Sequence, residues 1–289
     1  MATITMFFRD LAEFRFLQHA LVAILLVSLP AGLMGSWVVV RRNTYVAGAI
    51  SHCILGGIGL AVYLRGAHGV TWLTPALGAS LAAVGAAVLV GWVTLSGRLR
   101  TDSVLSAVWA VGMALGVSFM AMTPGYHADL MSYLFGNILM VGESGLWTMA
   151  VLNVVVAVPM VLCHNRLLAI GFNAEMAYLH GVSVKFYELL FMVLTALTIV
   201  IMVQVVGIVL ALALLTLPAA TAGLIARSFK AMIALAVGLV FASSLGGLVI
   251  SYAHDLPTGA TIVELAALVY VIAAVSVRLV RRRWLRGNS

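Results

Sequence analysis

Apolar residues run through this chain in long blocks, broken by short polar or charged gaps. Nine runs are read, at roughly 19–40, 44–64, 72–95, 103–122, 144–163, 187–206, 207–226, 231–252 and 260–277. Each is near the ~20 residues that one membrane crossing needs. The stretch 187–226 has no charge after Glu188 and is too long for one crossing. It is therefore divided near Gln204–Gly207, as a tight hairpin. Residues 130–141 are apolar but too few to cross, which suits a re-entrant or interfacial segment. One re-entrant run among the nine would leave eight crossings. The pattern predicts an all-α fold, a polytopic membrane bundle of about eight or nine transmembrane helices. An interfacial segment is expected over 1–18 and a single transmembrane domain over 19–280. Within that domain 164–186 is the one long loop on its side, and 281–289 forms a basic tail.

Composition agrees with the pattern. Of 289 residues, 64% are hydrophobic and 9% charged, against about 25% charged in soluble domains. The net charge of +7 does not point to nucleic acid, because the cations sit at the ends of apolar runs. Thirteen of the 16 lysines and arginines fall in loops on one side of the nine-run topology, from Arg41 and Arg42 to Arg278, Arg281, Arg282, Arg283 and Arg286. That asymmetry puts the C-terminus in the cytoplasm. With nine spans the N-terminus lies outside, as a short amphipathic helix on the surface. No cleavable signal pattern is visible in 1–18, so the first span is expected to serve as its own insertion signal. Cys53 and Cys163 lie far apart and form no CxxC motif.

Glycine occurs 27 times, including a GxxxG at Gly112 and Gly116 and a cluster at Gly56, Gly57 and Gly59. Small residues let helices approach closely in lipid. Pro30, Pro159 and Pro218 lie within runs, where each removes a backbone donor.

Few polar residues remain to carry function. His52 sits near the middle of the second run, where an ionisable group by default suggests a pathway. Imidazole is a good ligand for zinc and related metals, although a histidine bonded to a neighbouring helix is the plainer alternative. Glu264 is the other intramembrane ionisable group, near the outer end of the last run. Asp255 and His254 precede the last run, and His127 and Asp129 precede the short apolar segment. None of these has a metal-motif spacing. In the 164–186 loop, Asn173 can cap a helix, Glu175 falls in its first turn and Gly181 ends it. The segment reads either as an ordinary surface helix or as a docking helix for a partner. Neither Lys185 nor Lys230 follows a glycine, so the chain has no phosphate-binding P-loop. Zinc-protease and nucleophile-elbow motifs are absent as well, so no enzyme activity is expected.

Four segments together resemble the permease subunit of bacterial zinc/manganese ABC importers, the metal-chelate permease family. They are Arg41-Arg42 with Ala49-Ile50-Ser51-His52; Asp129 through Leu139; Glu175, Ala177 and Gly181 with Leu194–Thr198, Val206-Gly207 and Leu217–Ala222; and Asp255 through Ala260. The resemblance covers about Ala20 to Val277. It implies a homodimeric permease in the bacterial plasma membrane, with the metal pathway between its halves. It also implies a cytoplasmic ABC ATPase that supplies the energy and an extracytoplasmic solute-binding protein that delivers the ion. The cargo would be zinc or manganese, with no permanently bound cofactor. Asn173, Glu175, Ala177 and Gly181 would form the coupling helix that docks on the ATPase.

In the family an aspartate usually stands four residues before the histidine, and this chain has Gly48 there. Positions i and i+4 share a helix face, so only His52 remains of an oxygen–nitrogen pair. Glu264 or Asp255 is the candidate replacement carboxylate, and Asp129 a further pathway candidate. An iron or iron-chelate ABC permease is the alternative reading, and an ion-coupled secondary transporter the second alternative.

Overall fold

Lipid offers backbone groups no hydrogen-bond partner, so apolar runs of this length must fold as helices or closed barrels. The computed structural model describes residues 2–96, 100–124 and 134–287, without the side chains of 2–6, 8, 209 and 281–287. Among the described residues every regular element is helical. In chain order they are α1 (Ala2–Glu13), α2 (Arg15–Val40), α3 (Thr44–His68), α4 (Pro75–Ser96) and α5 (Thr101–Ala121). A 3₁₀ turn (Ile138–Met140) comes next, then α6 (Glu143–Leu162), α7 (His164–Phe172) and α8 (Ala174–Leu179). The chain closes with α9 (Val184–Val206), α10 (Ile208–Ile225), α11 (Phe229–His254) and α12 (Thr258–Gly287).

Eight of these helices are long and apolar enough to cross a membrane: α2 to α6, α9, α11, and α12 over Thr258–Val280. The ninth predicted run is α10, whose apolar stretch Leu210–Ile225 is shorter. The division of 187–226 falls at Gly207 alone, between Val206 and Ile208. Its φ of 77° is a conformation that only glycine adopts freely. Gly136, with φ 66°, abuts Gly207 backbone to backbone, and Gly259 at the start of α12 abuts Phe135 and Val206. Three chain segments thus touch at one end of the bundle.

The predicted GxxxG packs as small-residue motifs do in lipid. Cβ atoms built on Gly56 and Gly116 would stand 2.9 Å from the Gly112 carbonyl and 2.6 Å from the Leu55 backbone. Helices α3 and α5 therefore lie in backbone contact, and α4 packs on α3 beside them. A second layer forms where α11 packs on α2 and α12, and α10 fits among α2, α11 and α12.

Pro30 has no N–H, so the carbonyl of Leu26 one turn earlier lacks its helical donor. Asn153 of α6 supplies it, donating from Nδ2 to the Leu26 carbonyl at 2.8 Å and to Met149 at 2.9 Å. The cost of a proline within α2 is thus offset by a neighbouring helix.

The N-terminal segment is helical, as expected, but it is fastened to the bundle. Phe7 is buried and meets the Tyr252 ring edge-on at 5.6 Å, and the Tyr252 hydroxyl donates to Asp10 at 2.8 Å. The first crossing helix begins at Arg15, a turn before the predicted run. At the other end, α12 continues as helix into the basic tail, to Gly287. Of the short apolar segment, 130–133 and Asp129 lie outside the described residues. Its described part, 134–141, includes the 3₁₀ turn, capped by Asn137, which accepts from Leu139 N at 3.1 Å.

Candidate transport site

His52 lies in α3 on a face turned toward α5 and α10. Its ring stacks on Trp109 of α5, with centroids 4.3 Å apart and planes 10° from parallel. The residue is 9% exposed, and its Nδ1 is buried without a hydrogen-bond partner. A buried imidazole nitrogen left unpaired is uncommon and calls for an explanation. The plainer reading of His52, a histidine bonded to a neighbouring helix, is not what Nδ1 does.

Gly48 is one turn earlier on the same face. A Cβ there would stand 3.3 Å from Leu212 Cδ2 of α10 and 3.7 Å from Trp109 Cζ3. Leu212 and Trp109 thus close on the space in which a side chain at position 48 would begin.

The carboxylate candidates are dispersed. Asp255 is exposed at the junction of α11 and α12, in the left-handed conformation with φ 53°. It lines a cavity of about 690 Å³ together with Asn137, Ser251, Tyr252 and Thr258. Glu264 is exposed on α12, two turns into a crossing helix, and makes no ion pair among the described residues. Asp129 and His127 lie outside the described residues. His254 ends α11 and is exposed. Among the described residues, no three His, Cys, Asp or Glu side chains group closely enough to hold a metal ion.

Sequence reasoning misses one ion pair. Arg41, at the end of α2, pairs with Glu188 in the first turns of α9, and its guanidinium lies 4.6 Å over the Phe191 ring. The side chains are 9% and 18% exposed, so this is a sheltered pair rather than a surface one. In the sequence Arg41 is one more loop cation at a helix end, and nothing in the pattern links it to Glu188.

The 164–186 loop folds as two helices, α7 and α8, where one was expected. Asn173 separates them and caps α8, its side chain accepting from Met176 N at 3.0 Å. Glu175 lies in the first turn of α8. Gly181 comes just after it, with φ 80° and open space around it. Ala177 faces inward and is buried, whereas Phe172, Met176, Tyr178 and Leu179 are exposed. Four large apolar groups on about two turns are more than scattered surface hydrophobes.

The amino-acid sequence from residue 13 to 277 matches the model of the ABC 3 transport family. The chain belongs to that family. It is thus a multi-pass membrane subunit of an ABC transporter. The manganese transport system membrane protein MntC of Halalkalibacterium halodurans is 32% identical, over 94% of this chain and 91% of that protein. An uncharacterized membrane protein of Synechocystis sp. is 38% identical over 90% of each chain. Among solved structures, PsaBC from Streptococcus pneumoniae, in complex with a Fab, superposes with a TM-score of 0.83 at 30% identity. That superposition covers 93% of this chain and 95% of the other.

Proposed function

We propose that this ABC 3 family chain is the permease of an importer for a divalent transition metal, zinc or manganese. The observation that carries this reading is the full-length likeness to a manganese transport membrane protein, 94% of the chain at 32% identity. The unpaired Nδ1 of His52 in a crossing helix supports it. A pathway ligand should bind weakly enough for the ion to leave. One imidazole with scattered carboxylates meets that requirement, whereas a four-ligand cage would hold the metal as structural zinc is held.

Orientation is set by the cations: the C-terminus and the α7–α8 segment face the cytoplasm of a bacterial cell. A cytoplasmic ABC ATPase docks on α7 and α8, with Asn173, Glu175, Ala177 and Gly181 shaping the segment and Phe172, Met176 and Leu179 forming its contact. An extracytoplasmic solute-binding protein delivers the ion near Asp255 and Asp129. Glu264 is exposed in the single chain, yet a carboxylate toward lipid costs about 3 kcal/mol. That face of α12 therefore meets a second copy, and Glu264 supplies the oxygen that Gly48 cannot. The assembly is a homodimer around the pathway.

The test is ATP-dependent uptake by the reconstituted complex across zinc, manganese, iron and an iron chelate. Uptake of zinc or manganese, abolished by His52→Ala and reduced severalfold by Glu264→Gln, is expected. Uptake of the chelate alone, or wild-type uptake by His52→Ala, would overturn the reading. Loss with His52→Ala but not with Glu264→Gln would remove only Glu264 from the pathway.

A further inference from the structure

A cavity of about 330 Å³ lies between the ends of α2, α7, α10 and α11, and of the residues that line it only Phe172 enters the proposed ATPase contact. Trp37, Leu168, Phe229 and Met232 give it apolar walls, and Arg41 and Arg227 are its cations. Among the described residues no acidic side chain lines it.

Arg41 gives one guanidinium nitrogen to Glu188, while Nη1 is buried without a partner. The Arg41 side chain is 9% exposed. Trp37 Nε1 is likewise buried and unpartnered. Arg227 makes no ion pair among the described residues. Arg41 and Arg227 both line the cavity, so a ligand there would be an acceptor that the chain itself does not contribute. Two guanidinium groups favour that acceptor being anionic, and phosphate above all.

The apolar walls demand a second property of the ligand. Val40 lines the cavity yet is 55% exposed on the outer face of α2. Leu224 and Ile225, beside the lining residues Gly223 and Ala226, are exposed as well. Exposed apolar surface on α2 and α10 thus adjoins residues that line the cavity. A free phosphate would leave that surface unused, and a soluble acidic peptide would not track it into lipid. Basic pockets at the cytoplasmic ends of membrane helices are suited to anionic lipid heads.

We propose that this cavity binds the phosphate head of an anionic phospholipid, with an acyl chain along Val40, Leu224 and Ile225. The cavity wall includes α7, which leads directly into α8, so the lipid props the docking segment. The cytoplasmic placement rests on the orientation proposed above; the binding chemistry does not.

The experiment is binding of fluorescent phosphatidylglycerol and phosphatidylcholine to the purified full-length permease, with inorganic phosphate and a free fatty acid as competitors. Two variants address the site separately. Gly171→Leu fills the cavity, since a Cβ there would be 3.9 Å from Trp37 and otherwise open. Arg227→Gln removes an exposed cation that the fold does not need. At least tenfold preference for phosphatidylglycerol, lowered fivefold or more by each variant, is expected. Equal binding of both lipids would overturn the proposal, as would binding unaffected by Arg227→Gln in protein of normal thermal stability. Full competition by millimolar phosphate or by fatty acid alone would assign the site to a free anion instead and overturn the lipid. Native mass spectrometry of the permease–ATPase complex completes the test. Retained phosphatidylglycerol supports the proposal, and lipid expelled by the ATPase would make the cavity a subunit contact and overturn it.

Discussion

His52 and Trp109 lie face to face, their rings 4.3 Å apart and nearly parallel. The stack fixes the imidazole plane while using neither ring nitrogen. Trp109 also borders Gly48. With Trp109 Cζ3 and Leu212 Cδ2 at 3.7 and 3.3 Å from where its Cβ would be, the space beside Gly48 is narrow.

Gly48→Asp tests that arrangement. The nearest atom is the tip of a flexible leucine, so the Cβ of an aspartate is accommodated after a shift of a few tenths of an ångström. It would stand one turn from His52 on the same helix face. Metal affinity of the purified permease should rise about tenfold, roughly 1.4 kcal/mol. Turnover in proteoliposomes should fall, because a tighter site releases its ion more slowly. Calorimetric titration and uptake measured side by side check both, and His52→Ala should cancel the gain in affinity. Unchanged affinity in a folded Gly48→Asp protein would contradict the account.

The α3–α5 contact should tolerate no side chain at its glycines. Gly116→Val would drive a Cβ to 2.6 Å from the Leu55 backbone, which cannot rotate away. Overpacking of this kind costs about 1–3 kcal/mol, and thermal stability in detergent should drop by several degrees or expression should fail. Gly85→Val on α4, with no atom within 4 Å of its Cβ, is the matched control and should melt like the parent.

Legible in the sequence is whatever depends on local pattern. Uninterrupted apolar runs in the absence of water leave helices as the simplest solution, so the crossing segments are readable to within a turn. Gly207 can be found because it interrupts a charge-free stretch that no single helix could span. The partners of the polar groups cannot be read. Trp109 looks like any core aromatic in its run, and only the packing of α5 on α3 brings it over His52. The Asn153–Leu26 bond joins residues 127 positions apart, and the Arg41–Glu188 bond joins residues 147 apart. Such pairings are set by helix packing and leave no periodic signal. In the α7–α8 segment the cap and the first-turn acid are visible, whereas the exposed apolar face is hidden because α8 is too short to show a period.

That exposed face makes a separate prediction. Leu179 is 71% exposed and Met176 51%, so neither supports the fold of the isolated chain. Leu179→Asp should leave insertion and thermal stability unchanged while cutting co-purification of the ATPase at least tenfold. Quantitative pull-down from cells expressing both subunits reads this, and undiminished recovery of the ATPase would remove α8 from the interface.

The central claim is that this chain conducts metal but draws its energy from another subunit. It is tested most directly by measuring net metal accumulation in sealed proteoliposomes, with and without the ATPase and the solute-binding protein. The account predicts accumulation against a gradient only when all three proteins and ATP are present, and none from the permease alone. Accumulation by the permease alone, with no nucleotide-hydrolysing protein in the vesicles, would contradict it.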